Sequence, residues 1–94
     1  MTKNRISQTG APNLYKCDNF RPVRAQSFKE AAQVFASREA RRLFGKNAYC
    51  RTLRRDCWDT DGRNEEYEAF VGIEVEPNTT EGRNIRLVIS KQTQ

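Results

Sequence analysis

The chain contains no histidine. Its absence removes both the commonest general acid–base side chain and the commonest metal ligand. There are three cysteines, an odd number with no secretory context, so the expectation is free thiols in a reducing, cytoplasmic setting. Cys50 and Cys57 lie seven positions apart, which places them on opposite faces of a strand and disfavours a bridge between them. The longest apolar run, Ala69 to Ile73, is far too short to span a bilayer. The first 30 residues lack the apolar segment of a secretory signal. Glycine is scattered and forms no phosphate-cradling loop. Together these absences argue against histidine-based, metal-based and nucleotide-hydrolysing chemistry, and no cofactor is expected.

What the chain does have is charge, and the charge is segregated. Residues 38–55 carry seven cations against Glu39, a block of +6, and residues 56–81 carry nine acids against Arg63, a block of −8. The net charge of +5 hides this asymmetry. Arginine outnumbers lysine 12 to 5, and its planar fork suits bidentate contact with phosphate or carboxylate.

Ninety-four residues make one domain with a small core. Residues 1–12 are polar and read as a flexible N-terminal arm, leaving 13–91 as the folded unit. Short extended pieces are expected at Leu14–Cys17 and Phe20–Ala25, separated by an Asp18-Asn19 turn. Pro22 assigns the second piece to a sheet edge or a bulge. A helix is expected from Ser27 to Phe44. Ser27-Phe28-Lys29-Glu30 fits a capping box, and Gly45 supplies the stop. Phe28, Ala31, Ala32, Phe35, Ala36 and Leu43 form one apolar stripe. Glu39 falls inside that stripe and requires either exposure or a cationic partner.

Ala48–Trp58 reads as a strand, Asp59–Asn64 as a turn, Glu65–Glu76 as a strand and Pro77–Arg83 as a second loop. A last strand follows from Ile85. The order β-α-β-β-β predicts an α+β fold: one helix packed on a mostly antiparallel sheet, in two layers. With the turn centred on Asp61-Gly62, Arg55 should face Glu68 and Leu53 should face Phe70. Arg55 would then be neutralised within the hairpin. Phe20, Phe28, Phe35, Phe44, Tyr67 and Trp58 are expected in the core. Tyr15, Tyr49 and Phe70 are expected near the surface.

Two candidate surfaces follow. Arg38, Arg41, Arg42, Lys46, Arg51 and Arg54 form a candidate polyanion-binding set, since three arginines and a lysine exceed what a helix C-terminus needs for its dipole. Glu66, Glu68, Phe70 and Glu74 form a candidate partner-binding row, with a lone aromatic among glutamates as the anchor. Asp59-Thr60-Asp61-Gly62 resembles the start of a calcium loop, but its glycine comes two positions early. The cysteines have no histidine to activate them and read as structural. Asn78-Thr79-Thr80 reads as turn chemistry. The leading expectation is a non-enzymatic binding module docking on nucleic acid or a nucleoprotein complex. The alternative is a protein–protein adapter or small inhibitor of the phage or mobile-element type, acting through the acidic row or through the same arginines. Either would be a monomer or a homodimer and would not involve a membrane.

Overall fold

The helix forms where its capping and apolar period coincide. In the computed structural model, which describes residues 13–18, 20–58 and 60–92, α1 runs Phe28–Phe44. The Glu30 amide donates to Ser27 Oγ at 3.1 Å, and the Glu30 carboxylate accepts from the Gln26 amide at 2.6 Å. The reciprocal arm of the capping box thus reaches one residue before the cap. At the other end Gly45 has φ of 101°, and its amide donates to the Arg41 carbonyl at 2.9 Å.

Five strands surround this helix in sequence: β1 (Asn13–Cys17) and β2 (Val23–Ala25) before it, then β3 (Tyr49–Trp58), β4 (Asn64–Glu76) and β5 (Thr79–Gln92). They form one sheet in the order β2-β1-β5-β4-β3, with every neighbouring pair antiparallel. The chain is therefore an α+β two-layer domain with a single helix. β2 follows Pro22 and forms one edge, and β3 forms the other. The helix joins these two edges and so must pass over one face of the sheet.

That face holds the core. Tyr15, Cys17, Tyr67, Ala69, Val71, Leu87 and Ile89 from the strands meet Ala31, Ala32, Phe35, Ala36 and Ala40 from the helix, all buried. Four alanines let the helix sit close to the sheet, Phe35 is its one large fully buried side chain, and Phe28, Leu43 and Phe44 pack beside it partly buried. Phe20 stacks on Phe35 with centroids 5.6 Å apart, and Tyr15 meets Phe28 edge-on at 4.9 Å. Tyr15 is 1% exposed, which corrects the expectation that it lies near the surface. It alternates with Lys16 on a strand whose inward residues are Tyr15 and Cys17. Trp58 is 52% exposed, which corrects its assignment to the core. It ends the edge strand β3, which has a strand neighbour on one side only.

The register of β3 against β4 also differs from the simple hairpin expectation. Leu53 faces Ala69, Arg54 faces Glu68 and Arg55 faces Tyr67. The reason is two bulges. The pairing shifts between Cys50 and Thr52 and between Arg55 and Cys57, leaving Arg51 and Asp56 as the extra residues. Each extra residue reverses which side chains face the core. Cys50, Leu53, Arg55 and Trp58 therefore share the helix side, opposite Val71, Ala69, Tyr67 and Glu65. Tyr49, Thr52, Arg54 and Cys57 take the helix-free side.

The loop expected over Pro77–Arg83 is instead a two-residue turn, Pro77-Asn78, between long strands. Asn78 adopts φ of 67°, a conformation asparagine tolerates, and this allows the tight reversal. β4 and β5 then extend as a two-stranded arm beyond the last β3 pairing at Gly72. Where the arm leaves the sheet, Gly72 faces Gly82. A Cβ at Gly72 would lie 2.3 Å from the Glu81 carbonyl oxygen, and one at Gly82 would meet the Phe70 ring at 2.9 Å. Phe70 thus lies over Gly82 and is half-buried on the helix-free face. Gly72→Ala should destabilise the protein by about 1–3 kcal/mol through this backbone clash. Urea titration would show the midpoint shift, and an unchanged midpoint would mean that the two strands separate freely at this point.

Candidate nucleic-acid interface

The structure distributes the sequence-derived cations over two faces of the molecule. Arg38, Arg41 and Arg42 belong to the second half of α1, and Lys46 follows its cap. Arg38 Nη1 donates to the Arg21 carbonyl at 3.4 Å, placing it beside the β1–β2 connection. Arg42 is held by Glu39 through two hydrogen bonds, at 2.8 and 2.6 Å. Glu39 thereby has the cationic partner that its place in the apolar stripe requires. Arg38, Arg41 and Lys46 form no ion pair among the described residues.

Arg51 and Arg54 lie on the opposite, helix-free face. Arg51 donates to Thr80 Oγ1 and, at 3.3 Å, to the Tyr49 hydroxyl. Its guanidinium also lies 5.7 Å from the Tyr49 ring centroid. Arg54 pairs with Glu68 at 2.6 Å and approaches Asp56 at 4.0 Å. Asp56 in turn binds Arg86 at 2.9 Å, and Arg86 binds Glu66 at 3.0 Å. Glu68, Arg54, Asp56, Arg86 and Glu66 thus form a continuous chain of alternating charge across β3, β4 and β5. These groups are substantially exposed, so the pairs contribute little to stability. The geometric effect matters more, because Glu66 and Glu68 of the candidate acidic row are engaged within the fold. Glu74, in the arm, accepts from the Asn78 amide at 3.2 Å and forms no ion pair among the described residues.

A more concentrated cationic feature lies along the open edge. A groove of about 380 Å³ is lined by Lys29 of α1, Leu53, Arg54 and Arg55 of β3, and Tyr67 of β4. Three of its five lining residues are cations and none is an acid. Lys29 forms no ion pair among the described residues. Arg55 binds Glu65 at 3.6 Å, while its guanidinium lies 4.1 Å from the centroid of the Trp58 ring. Arg55 is thus paired with an acid of the β3–β4 hairpin, Glu65 rather than Glu68, and remains 47% exposed. It joins the groove to an exposed indole. Sequence reading set Arg55 aside and did not single out Lys29. The missed signal is the 3-2-3 spacing of Cys50, Leu53, Arg55 and Trp58, which a regular strand does not produce and two bulges do.

The cysteines and the β3–β4 turn complete the candidate groups. Burial, reinforced by the nearby Asp18 carboxylate, pushes the Cys17 thiol up to about 11, so it stays protonated at neutral pH. Burial also raises the Cys50 thiol. All three cysteines are free, and only Cys57 is exposed. Asp61 accepts from the Arg63 amide at 3.0 Å within the β3–β4 turn, an Asx-type contact. Among the described residues no group of three or more side chains is placed to hold a metal ion, and no helix is long and apolar enough to cross a membrane. No family model matches the chain, and no curated protein or solved structure is significantly similar to it.

The hydrogen bonds from Arg42 hold the Glu39 carboxyl below its ordinary value of 4.5, and the charges of Arg42 and Arg83 reinforce this. The stability this contributes is complete above the unfolded-state value and is lost as the pH falls through the lower folded value. Glu39→Gln should therefore flatten the acid limb of the stability profile below about pH 4.5. Urea midpoints measured on both proteins from neutral pH into the acid limb would show it. Parallel curves would assign the acid sensitivity to other carboxylates.

Proposed function

We propose that the protein is a non-enzymatic binding module that docks the β3 edge and the first turn of α1 onto nucleic acid. The observation that carries this reading is the groove lined by Lys29, Arg54 and Arg55 without an acid. Arg54 pairs with Glu68 and approaches Asp56, Arg55 pairs with Glu65, and the two arginine side chains remain 68% and 47% exposed. Their remaining N–H groups are available to a phosphate, which guanidinium binds bidentately. Lys29 adds a point charge from the helix side of the same groove. Phosphate binding of this kind releases counterions, so it is steeply salt-dependent.

Edge strands of this length invite pairing with another chain, and natural edges are protected by charge and bulges. β3 carries both. Symmetric pairing of two β3 strands centred on Leu53 places Arg51 opposite Arg55, and centring on Arg54 places that residue opposite its own copy. Like charges directly across a ladder are destabilising. These two registers are disfavoured, and the cations of the edge suit an anionic partner.

Fluorescence anisotropy with labelled RNA and DNA, from low to physiological salt, tests the proposal. Lys29→Ala/Arg54→Ala/Arg55→Ala should lower affinity at every salt concentration and reduce the slope of log K against log salt by about 2. Arg38→Ala/Arg41→Ala/Lys46→Ala should leave the slope close to that of the unmodified protein. The reverse pattern would move the interface to the helix end. Absence of binding at low salt would refute it.

A further inference from the structure

We infer that the nucleic acid this edge accepts is single-stranded, with a base stacked on Trp58; the inference rests on the nucleic-acid reading of the same edge. Trp58 is the only tryptophan in the chain and the end residue of the edge strand. It is 52% exposed, which is unusual for a residue with so large an apolar surface. Nothing in the sheet requires it there, because β3 is an edge and Trp58 faces Glu65 across the ladder.

The ring is nevertheless oriented. The Arg55 guanidinium lies 4.1 Å from its centroid and is itself fixed by Glu65 at 3.6 Å. Glu65 also accepts from the Tyr67 hydroxyl at 2.7 Å, so the clamp is anchored to the buried part of β4. An exposed indole held in place by a cation loses little freedom on binding a second flat group. Every nucleobase offers a π-face, so such a platform takes any base that is not already stacked in a duplex.

The charges around the ring separate base from phosphate. A small hollow beside Trp58 is flanked by Glu65 and Glu66, which repel a phosphate. Both acids are already occupied, Glu65 by Arg55 and Tyr67 and Glu66 by Arg86 at 3.0 Å. The cations Arg54, Arg55 and Lys29 line the groove, and Arg55 connects it to the ring. A strand bound with its phosphates in the groove would direct a base toward the ring. At the far end of β3, Tyr49 is 43% exposed with Arg51 beside it, but on the helix-free side, opposite to the side that Trp58 and Arg55 share.

Trp58 emission reports the contact directly. The full chain is titrated with oligothymidylate, with a duplex of equal length and with heparin, which carries negative charge but no bases. Binding is followed in parallel by anisotropy or competition. The expected result is quenching of Trp58 by the single strand, weaker binding of the duplex, and binding of heparin without quenching. Trp58→Ala should weaken single-strand binding about 5- to 100-fold, and Trp58→Phe should retain most of it. Circular dichroism and urea midpoints on both variants distinguish loss of the platform from loss of the fold. Two results would overturn the inference while leaving the cationic interface in place. One is single-strand binding with unchanged emission and no effect of either variant, and the other is equal or tighter binding of the duplex. Failure to bind any of the three polyanions at low salt would overturn the nucleic-acid reading and this inference with it.

Discussion

The close seating of the helix on the sheet governs the remaining structure. Four small side chains, Ala31, Ala32, Ala36 and Ala40, line the contact, and Phe35 is the one large side chain of the helix that is fully buried. That seating fixes where every helical charge can go. Lys29 lies against β3 and Tyr67, while Arg38 and Arg42 face the β1–β2 connection. Replacing one of these alanines with a larger residue would lift the helix and open the groove at the β3 edge. Fold and candidate interface therefore share one constraint.

The bulges of β3 are the second determinant. An edge strand has a neighbour on one side only, so an extra residue costs few ladder bonds and changes which face each later side chain occupies. Without the bulge at Asp56, Arg55 would point to the helix-free face and Arg54 to the core. With it, Arg54 enters the charge chain through Glu68, Asp56 and Arg86, and Arg55 reaches Trp58. The same displacement draws Asp56 toward Arg86. The irregularity is thus what converts a run of arginines into two distinct environments.

The segregated charge has a different meaning in the fold than along the chain. The basic and acidic blocks meet across β3 and β4, and the arginine of the last strand, Arg86, completes their pairing. Arg54 and Arg55 remain substantially exposed despite this pairing. The cations without ion pairs among the described residues include Lys29, Arg38, Arg41 and Lys46. They divide between the groove and the helix end.

The sequence by itself determined the elements. Ser27 and Gly45 marked the helix ends, and the alternation of Tyr67, Ala69, Val71 and Ile73 marked the central strand. The α+β class followed from their order. These features are local, set by capping geometry and by side-chain period within a few residues. Only the tertiary structure decided the register of β3, the burial of Tyr15, the exposure of Trp58 and the two-residue turn at Pro77-Asn78. Bulges and edge positions depend on which strand lies alongside, and β1 finds β5 only across most of the chain. The groove required the same information, since Lys29 and Arg55 are distant in sequence and meet only where the helix crosses the sheet.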